Sequence, residues 1–250
     1  MTSFNKLMRI FIFFLFVLCW NNSWAIDIEI YTENWPPLNF ENGGKITGFT
    51  TDIVREIQRR TKIKGEIELL PWKRAYFYAL NKKNALIYSI VRNPQREGLF
   101  RWVGPIYPRR VSLFKLKSRR DIIVKNVKDI KKYKIGVVRG YASTQDLINL
   151  GIPENNFDYV ISEDLNAKKL LGERFSLMVG VELAVQARFE RLGFDPKNIV
   201  PVYIVDETYQ QYLGFNKKTS DHIVFSFQKA LKSLKDDGTY KKFKFKYKLK

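Results

Sequence analysis

The stretch ALIYSIVRNPQREGLFRW, residues 85–102, decides the class of this fold. Its first seven residues read as a strand apolar on both faces, as expected in the middle of a parallel sheet. Arg92-Asn93-Pro94 breaks the run, and a short helix is expected from Gln95 to Phe100. Arg92, Arg96 and Arg101 follow close together. A turn after a buried strand end is where α/β folds place groups that hold ligands.

The neighbouring segments keep the same rhythm. Upstream, IDIEIY alternates Ile26, Ile28 and Ile30 with Asp27 and Glu29, the two-residue period of a strand. TENWPPLNFENGGKITG is a turn-rich loop, broken at Pro36-Pro37 and Gly43-Gly44. FTTDIVREIQRRTK predicts a helix capped by Thr50 or Thr51, with Ile53, Val54 and Ile57 on one face. GEIELLPW then predicts a strand and KRAYFYALNKK a helix.

Downstream, VSLFKLK is extended and the pattern restarts. KIGVVRG, FDYVIS, FSLMVGV and NIVPVYIV predict strands; STQDLINL, LNAKKLLGE and ELAVQARFERLG predict the helices between them. YQQYLGFNK is extended again. A last long helix is expected from about Asp221 to Lys235, with Ile223, Val224, Phe227, Ala230, Leu231 and Leu234 on one stripe. Strands alternate with helices in two blocks, before and after about residue 115. The class is therefore α/β: two small lobes, each a mainly parallel sheet flanked by helices, with a crevice between them suited to a ligand.

The chain has 250 residues and a formal charge of +19, from 44 basic and 25 acidic side chains. Residues 1–25 read as a signal peptide: Lys6 and Arg9, the apolar run IFIFFLFVLCW, then small residues at Ser23 and Ala25 with cleavage after Ala25. Loss of Lys6 and Arg9 lowers the positive charge by two. Cys19 is the only cysteine, so the mature chain has no thiol for a disulfide. A lipoprotein reading would acylate Cys19, but Leu18 is large for that signal. The basic residues are spread along the chain, and no nucleic-acid motif is visible. A positive surface favours anionic ligands.

The order and local motifs resemble the periplasmic solute-binding proteins of family 3, the polar amino acid type serving ABC importers. The resemblance rests on YTENWPPLNF…GKITGFTTDIVREI, PWKRA, NALIYSIVRNPQREGLFRWVGPIY, KIGVVRGYAST and FQKALKSLKDDGTYKKF. PWKRA with REGLFRWVGP is similar to a proteobacterial subgroup of unassigned ligand. The family implies a type II periplasmic-binding-protein-like fold, with lobe 1 at 26–112 and 212–250 and lobe 2 at 113–211. Hinge crossings are then expected near 111–116 and 207–212. It also implies a periplasmic monomer that gives its solute to an inner-membrane ABC permease.

The resemblance assigns site residues one by one. Arg96 matches the arginine that clamps a ligand carboxylate, for which a planar guanidinium fork is well suited. Arg92 is then a loop charge or second electrostatic contact, and Arg101 a solvated one. Tyr88 and Ser89 fall where relatives line the cleft. Tyr141, Ala142 and Ser143 lie at a helix start, whose free N–H groups attract anions. Trp35 matches an aromatic covering the ligand; Trp72 falls near the cleft rim. Val181 stands where many amino-acid binders carry an aspartate for the α-amino group, with Glu182 beside it. Val91 replaces a common hydroxyl. The expected ligand is thus a small carboxylate-bearing solute, with recognition of an amino group left open.

Catalysis finds little support. His222 is the only histidine, there is no cysteine nucleophile in the mature chain, and no His/Cys metal cluster is present, so neither metal nor cofactor is expected. Two alternatives stay open: a cyclohexadienyl-dehydratase-like enzyme using Glu33 or Glu182, or a component that presents ligand to a receptor. The tail KKFKFKYKLK reads either as an amphipathic strand or as a helix with Tyr240, Phe243 and Tyr247 on one face.

Overall fold

The computed structural model describes residues 28–249; the expected signal peptide and Cys19 lie outside them. Two five-stranded sheets form its frame. The first contains β1 (Ile28–Thr32), β4 (Gly65–Leu69), β5 (Ala85–Val91), β6 (Phe100–Pro108) and β12 (Gln210–Asn216), in the order β4-β1-β5-β12-β6. The second contains β7 (Val111–Leu116), β8 (Ile135–Val138), β9 (Phe157–Val160), β10 (Leu177–Val181) and β11 (Ile199–Asp206), in the order β11-β7-β10-β8-β9.

Each sheet is mixed. β4, β1 and β5 pair in parallel, whereas β12 runs antiparallel to β5 and to β6. In the second sheet β10-β8 and β8-β9 are parallel, and both pairings of β7 are antiparallel. The parallel half of each sheet comes from strand-helix units, which need a crossover. The antiparallel half comes from the two segments that pass between sheets. The chain crosses at residues 109–110 and returns at 207–209. Val111–Leu116, where the first crossing was expected, is wholly a strand of the second sheet, because its alternate apolar side chains are buried in two cores.

Both faces of each sheet are covered. On the first sheet, Ile28, Ile30, Leu86, Tyr88, Leu213 and Phe215 pack against α1 (Phe49–Thr61) and α8 (Asp221–Asp236). Ala75 and Ala79 of α2 (Trp72–Asn81) meet Tyr31, Ile87, Ile90 and Phe100 on the opposite face. On the second sheet, one core joins Leu113, Val137, Leu177 and Val179 to Ile130 of α4 (Val127–Ile130) and Leu147 of α5 (Ala142–Asn149). The other joins Phe114 and Met178 to Leu170 of α6 (Glu163–Leu171) and Phe189 of α7 (Glu182–Arg191).

Several local expectations are corrected. The turn-rich loop holds a hairpin, β2 (Phe40–Asn42) with β3 (Lys45–Thr47), turning on Gly43-Gly44, both at positive φ. Neither Thr50 nor Thr51 caps α1. The N-cap is Gly48, at φ 126, where an added Cβ would stand 2.4 Å from the Leu38 carbonyl oxygen. Its N–H donates to the Tyr247 hydroxyl at 3.1 Å. The short helix α3 runs Pro94–Glu97, and Phe100 opens β6 instead. The tail is helical: α9 (Thr239–Lys246) lays Tyr240, Phe243 and Tyr247 against the first core. No helix among the described residues is long and apolar enough to cross a membrane.

Phe227 is fully buried and meets Phe215 edge-on, ring centroids 5.0 Å apart. Phe227→Ala is expected to lower folding stability by about 3–5 kcal/mol, measured by urea denaturation.

Candidate functional site

The parallel strands of both sheets point their carboxyl ends at one crevice. β1 delivers Glu33 and Trp35, β5 delivers Arg96, and the end of β4 leads into Trp72. From the other sheet, β8 delivers Tyr141, Ala142 and Ser143, β9 delivers Glu163, and β10 ends on Val181. Together with Ser89, Val91, Arg109 and Gln211 these residues line about 430 Å³ of empty space, part of it open to solvent.

Arg96 is held by its surroundings on three sides. The Asn93 side chain accepts from the Arg96 backbone N–H at 3.1 Å and starts α3. The guanidinium packs against the adjoining Trp72 and Tyr76 rings, 5.2 and 5.3 Å from their centroids. Such contacts are worth about 0.5–2 kcal/mol each. Burial pulls the Arg96 pKa down, and Tyr76 opposes that. No carboxylate among the described residues forms an ion pair with Arg96. The other two arginines of that stretch are neutralised. Arg92 forms a two-pronged pair with Glu97. Arg101, expected to be solvated, pairs with Asp221 and donates to the Thr219 carbonyl, because β6 runs beside the start of α8.

A β-bulge aims Ser89. Leu213 pairs with Tyr88 and Tyr212 with Ile90, so Ser89 has no partner on β12. It sits at φ 59, a left-handed conformation costing roughly 1–3 kcal/mol for a non-glycine residue. The bulge resets the alternation: Ile87 and Ile90 share a core, which strict period two forbids. Ser89 and Val91 consequently reach the crevice. The Ser89 hydroxyl is buried without a hydrogen-bond partner, as are Gln211 Oε1 and Glu163 Oε2.

Glu33 and Tyr141 join the two sides. The Tyr141 hydroxyl donates to the Glu33 carboxylate. The Trp72 indole N–H donates to the Gly140 carbonyl at 3.2 Å, and its ring meets Tyr141 edge-on. Burial pushes Glu33 up to about 7, although the Tyr141 bond pulls the other way. Glu163 is also raised, again chiefly by burial, with Arg188 pulling down from 3.7 Å.

Of the expected site residues, Arg96, Ser89, Trp35, Tyr141, Ala142 and Ser143 line the crevice. Tyr88 does not: its ring is in the first core and its hydroxyl bonds Thr51 Oγ1 at 2.9 Å. The bulge turns Ser89 toward the crevice and leaves Tyr88 facing the core. Glu182 is also absent. As the first residue of α7, it accepts from Ser112 Oγ at 2.6 Å and lies 3.2 Å from Arg110 Nε. Glu33, Trp72, Arg109, Glu163 and Gln211 complete the lining. Glu33 and Glu163 were legible by the rule that singled out Arg96, since each follows an apolar strand. Arg109 and Gln211, at the passages between sheets, had no such signal.

The sequence matches the bacterial extracellular solute-binding proteins, family 3, over residues 28–250. The chain belongs to that family. A relative named probable histidine-binding protein, from Campylobacter jejuni, is 26% identical over 86% of this chain and 82% of its own. The arginine-binding extracellular protein ArtP of Bacillus subtilis is 20% identical over 86% and 83%. A histidine kinase sensor domain described as similar to periplasmic binding proteins superposes with a TM-score of 0.79 at 16% identity, covering 88% of this chain and 95% of that one. The two-lobed binding-protein fold of this family-3 chain is thus evident from sequence and structure together.

The family-3 crevice should respond to pH through Glu33. Between about pH 4.5 and 7 the folded chain keeps a proton that the unfolded chain has released. That contribution favours folding at low pH and is lost as pH rises through about 7. Glu33→Gln is expected to gain stability relative to wild type across this window, by up to about 1.4 kcal/mol per pH unit. Urea denaturation of both proteins at a series of pH values measures the difference; a constant difference contradicts the assignment.

Proposed function

We propose that the protein captures a small carboxylate-bearing solute of amino-acid size in the crevice and delivers it to an inner-membrane ABC permease. The observation that carries this reading is Arg96, a cation against two adjoining aromatic rings with no carboxylate partner among the described residues. A guanidinium so placed is completed by an incoming carboxylate. The start of α5 supplies the other side of the grip. Its N-cap, Tyr141, gives no side-chain cap, so the N–H groups of Ala142 and Ser143 are available to an anion. Glu33 and Glu163 in the same lining suit a positively charged or donor-rich group on the same solute. The relatives named for histidine and arginine accord with such a ligand.

In this reading the lobes are 28–108 with 210–249, and 111–206, hinged at 109–110 and 207–209. The protein acts as a monomer in the periplasm, exported by a signal peptide cleaved after Ala25. A carboxyl titrating near neutrality also suits proton transfer, which keeps the enzyme reading in the test.

Thermal-shift screening of the mature chain against amino acids, organic acids and sulfonates should give a hit that raises the melting temperature. Arg96→Ala is expected to weaken that hit about 100-fold or more, through loss of a buried charge-assisted pair. Unchanged affinity would remove Arg96 from the site. Turnover of a hit without a stable complex would replace binding with catalysis.

A further inference from the structure

We propose that the outer side of α9 holds the protein peripherally on an anionic lipid surface, with Phe245 entering the headgroup layer and Lys241, Lys242 and Lys248 meeting lipid phosphates. This inference goes beyond solute capture and does not depend on it. It starts from a segment that the crevice leaves unused. The last ten residues, KKFKFKYKLK, carry six lysines and no acid. The structure docks this segment by one side. Tyr240, Phe243 and Tyr247 pack on the first core, and Leu249 is buried in it. The Tyr240 hydroxyl donates to the Ile106 carbonyl at 2.7 Å, and the Tyr247 hydroxyl accepts from the Gly48 N–H and donates to Asp52 at 2.9 Å. Arg60 donates to Thr239 Oγ1 at 3.1 Å. The helix is thus tied down along its length, and its other side has a fixed composition.

At about 100° per residue, Phe245 stands opposite those three aromatics, with Lys241 and Lys242 on either side of it. Phe245 is 88% exposed. Lys248, whose backbone N–H donates to the Phe245 carbonyl at 3.0 Å, follows one turn on and is exposed. A single exposed apolar side chain is ordinary on a protein surface. The charge around this one sets it apart. No carboxylate among the described residues forms an ion pair with Lys241, Lys242 or Lys248. The acids of the adjoining segments are already engaged: Asp236 by Lys232, Asp237 by Arg60 and Asp52 by Lys246. Unpaired lysines around an apolar ring complement phosphates lying over hydrocarbon. The ammonium groups stay at the phosphate level on flexible stems while the ring goes deeper. A nucleic acid would meet the same charges, but one outward helix side offers no groove to track its backbone. A short helix with one aromatic gives weak, reversible attachment.

The test is co-sedimentation of the full mature chain with vesicles at low salt. One set contains phosphatidylglycerol with phosphatidylethanolamine, the other phosphatidylcholine alone. Wild type should sediment with the anionic set and stay in solution with the neutral one, and added salt should release it. Replacing Lys241 and Lys242 together by Gln should weaken partitioning about tenfold or more. Phe245→Ser should weaken it about fivefold or more. All three side chains are exposed, so both variants should melt with wild type in the absence of vesicles. None of them lines the crevice, so solute binding should be the same in every variant. Phe245→Trp supplies a second readout: anionic lipids brominated on the acyl chain should quench its added fluorescence. Equal sedimentation with phosphatidylcholine, or unchanged partitioning of the lysine double variant, overturns the inference. A Trp at 245 that the brominated chains leave unquenched overturns the insertion of the ring. Retention of the protein on mixed-sequence DNA without sedimentation on either vesicle set replaces the lipid surface with a nucleic acid.

Discussion

Arg109 is the point on which the arrangement of the two lobes depends. It is 3% exposed and sits where the chain first leaves one sheet for the other. Its guanidinium donates to Asp206 at 2.7 Å and to Asp146. Asp206 ends the strand before the return passage, and Asp146 lies on α5. One side chain thus ties the outgoing segment to the returning one and to the helix whose start faces the crevice. Burial raises the Asp146 pKa, and Arg109 pulls against that. A buried cation with two anions is hard to break and contributes position more than net stability. It also leaves Arg96 as the cation of the crevice without an ion-pair partner among the described residues.

Position alone would not make a site from Arg96. The second device is the bulge at Ser89. A central strand with every residue buried has no side to spare for a ligand group. The extra residue lets β5 stay packed on both faces up to Tyr88 and resume with Ile90, while Ser89 turns into the crevice. Backbone strain is concentrated where it places a polar atom at the crevice surface. Tyr88 is held in the core by the same device, since its hydroxyl is already met by Thr51.

Much of this frame was legible because buried strands and amphipathic helices write periodic patterns. The apolar run at 85–91 and the stripe on α8 are clear cases. β6 was not legible: FRWVGPIYP has no alternation and contains two prolines. It forms because it is an edge strand, where proline is tolerated. The crossing at 109–110 was misplaced because a two-residue passage leaves no composition signal between two strands. In the site, residues after strand ends were found or findable, as Arg96, Trp35 and Tyr141 illustrate. Gln211 was not, because its place in the lining depends on antiparallel pairing across more than a hundred residues. Glu182 misled because a carboxylate at a helix start looks the same whether it faces a ligand or, as here, Ser112 and Arg110.

The closed arrangement is incomplete by itself. Ser89, Gln211 and Glu163 each keep an unmet polar atom there, and Glu33 is pressed toward neutrality by burial. Opposing these are the inter-lobe contacts already present: Tyr141 on Glu33, Trp72 on Gly140, and Trp35 in a cluster with Ala184. Opening would give the unmet groups to water but break those contacts. A ligand changes that balance only by binding one state better than the other. A solute that satisfies the buried acceptors and the Arg96 cation does so in the closed state alone, because the groups come from both lobes. In the proposed function, the polar atoms left unmet by folding would be what lets a ligand drive closure.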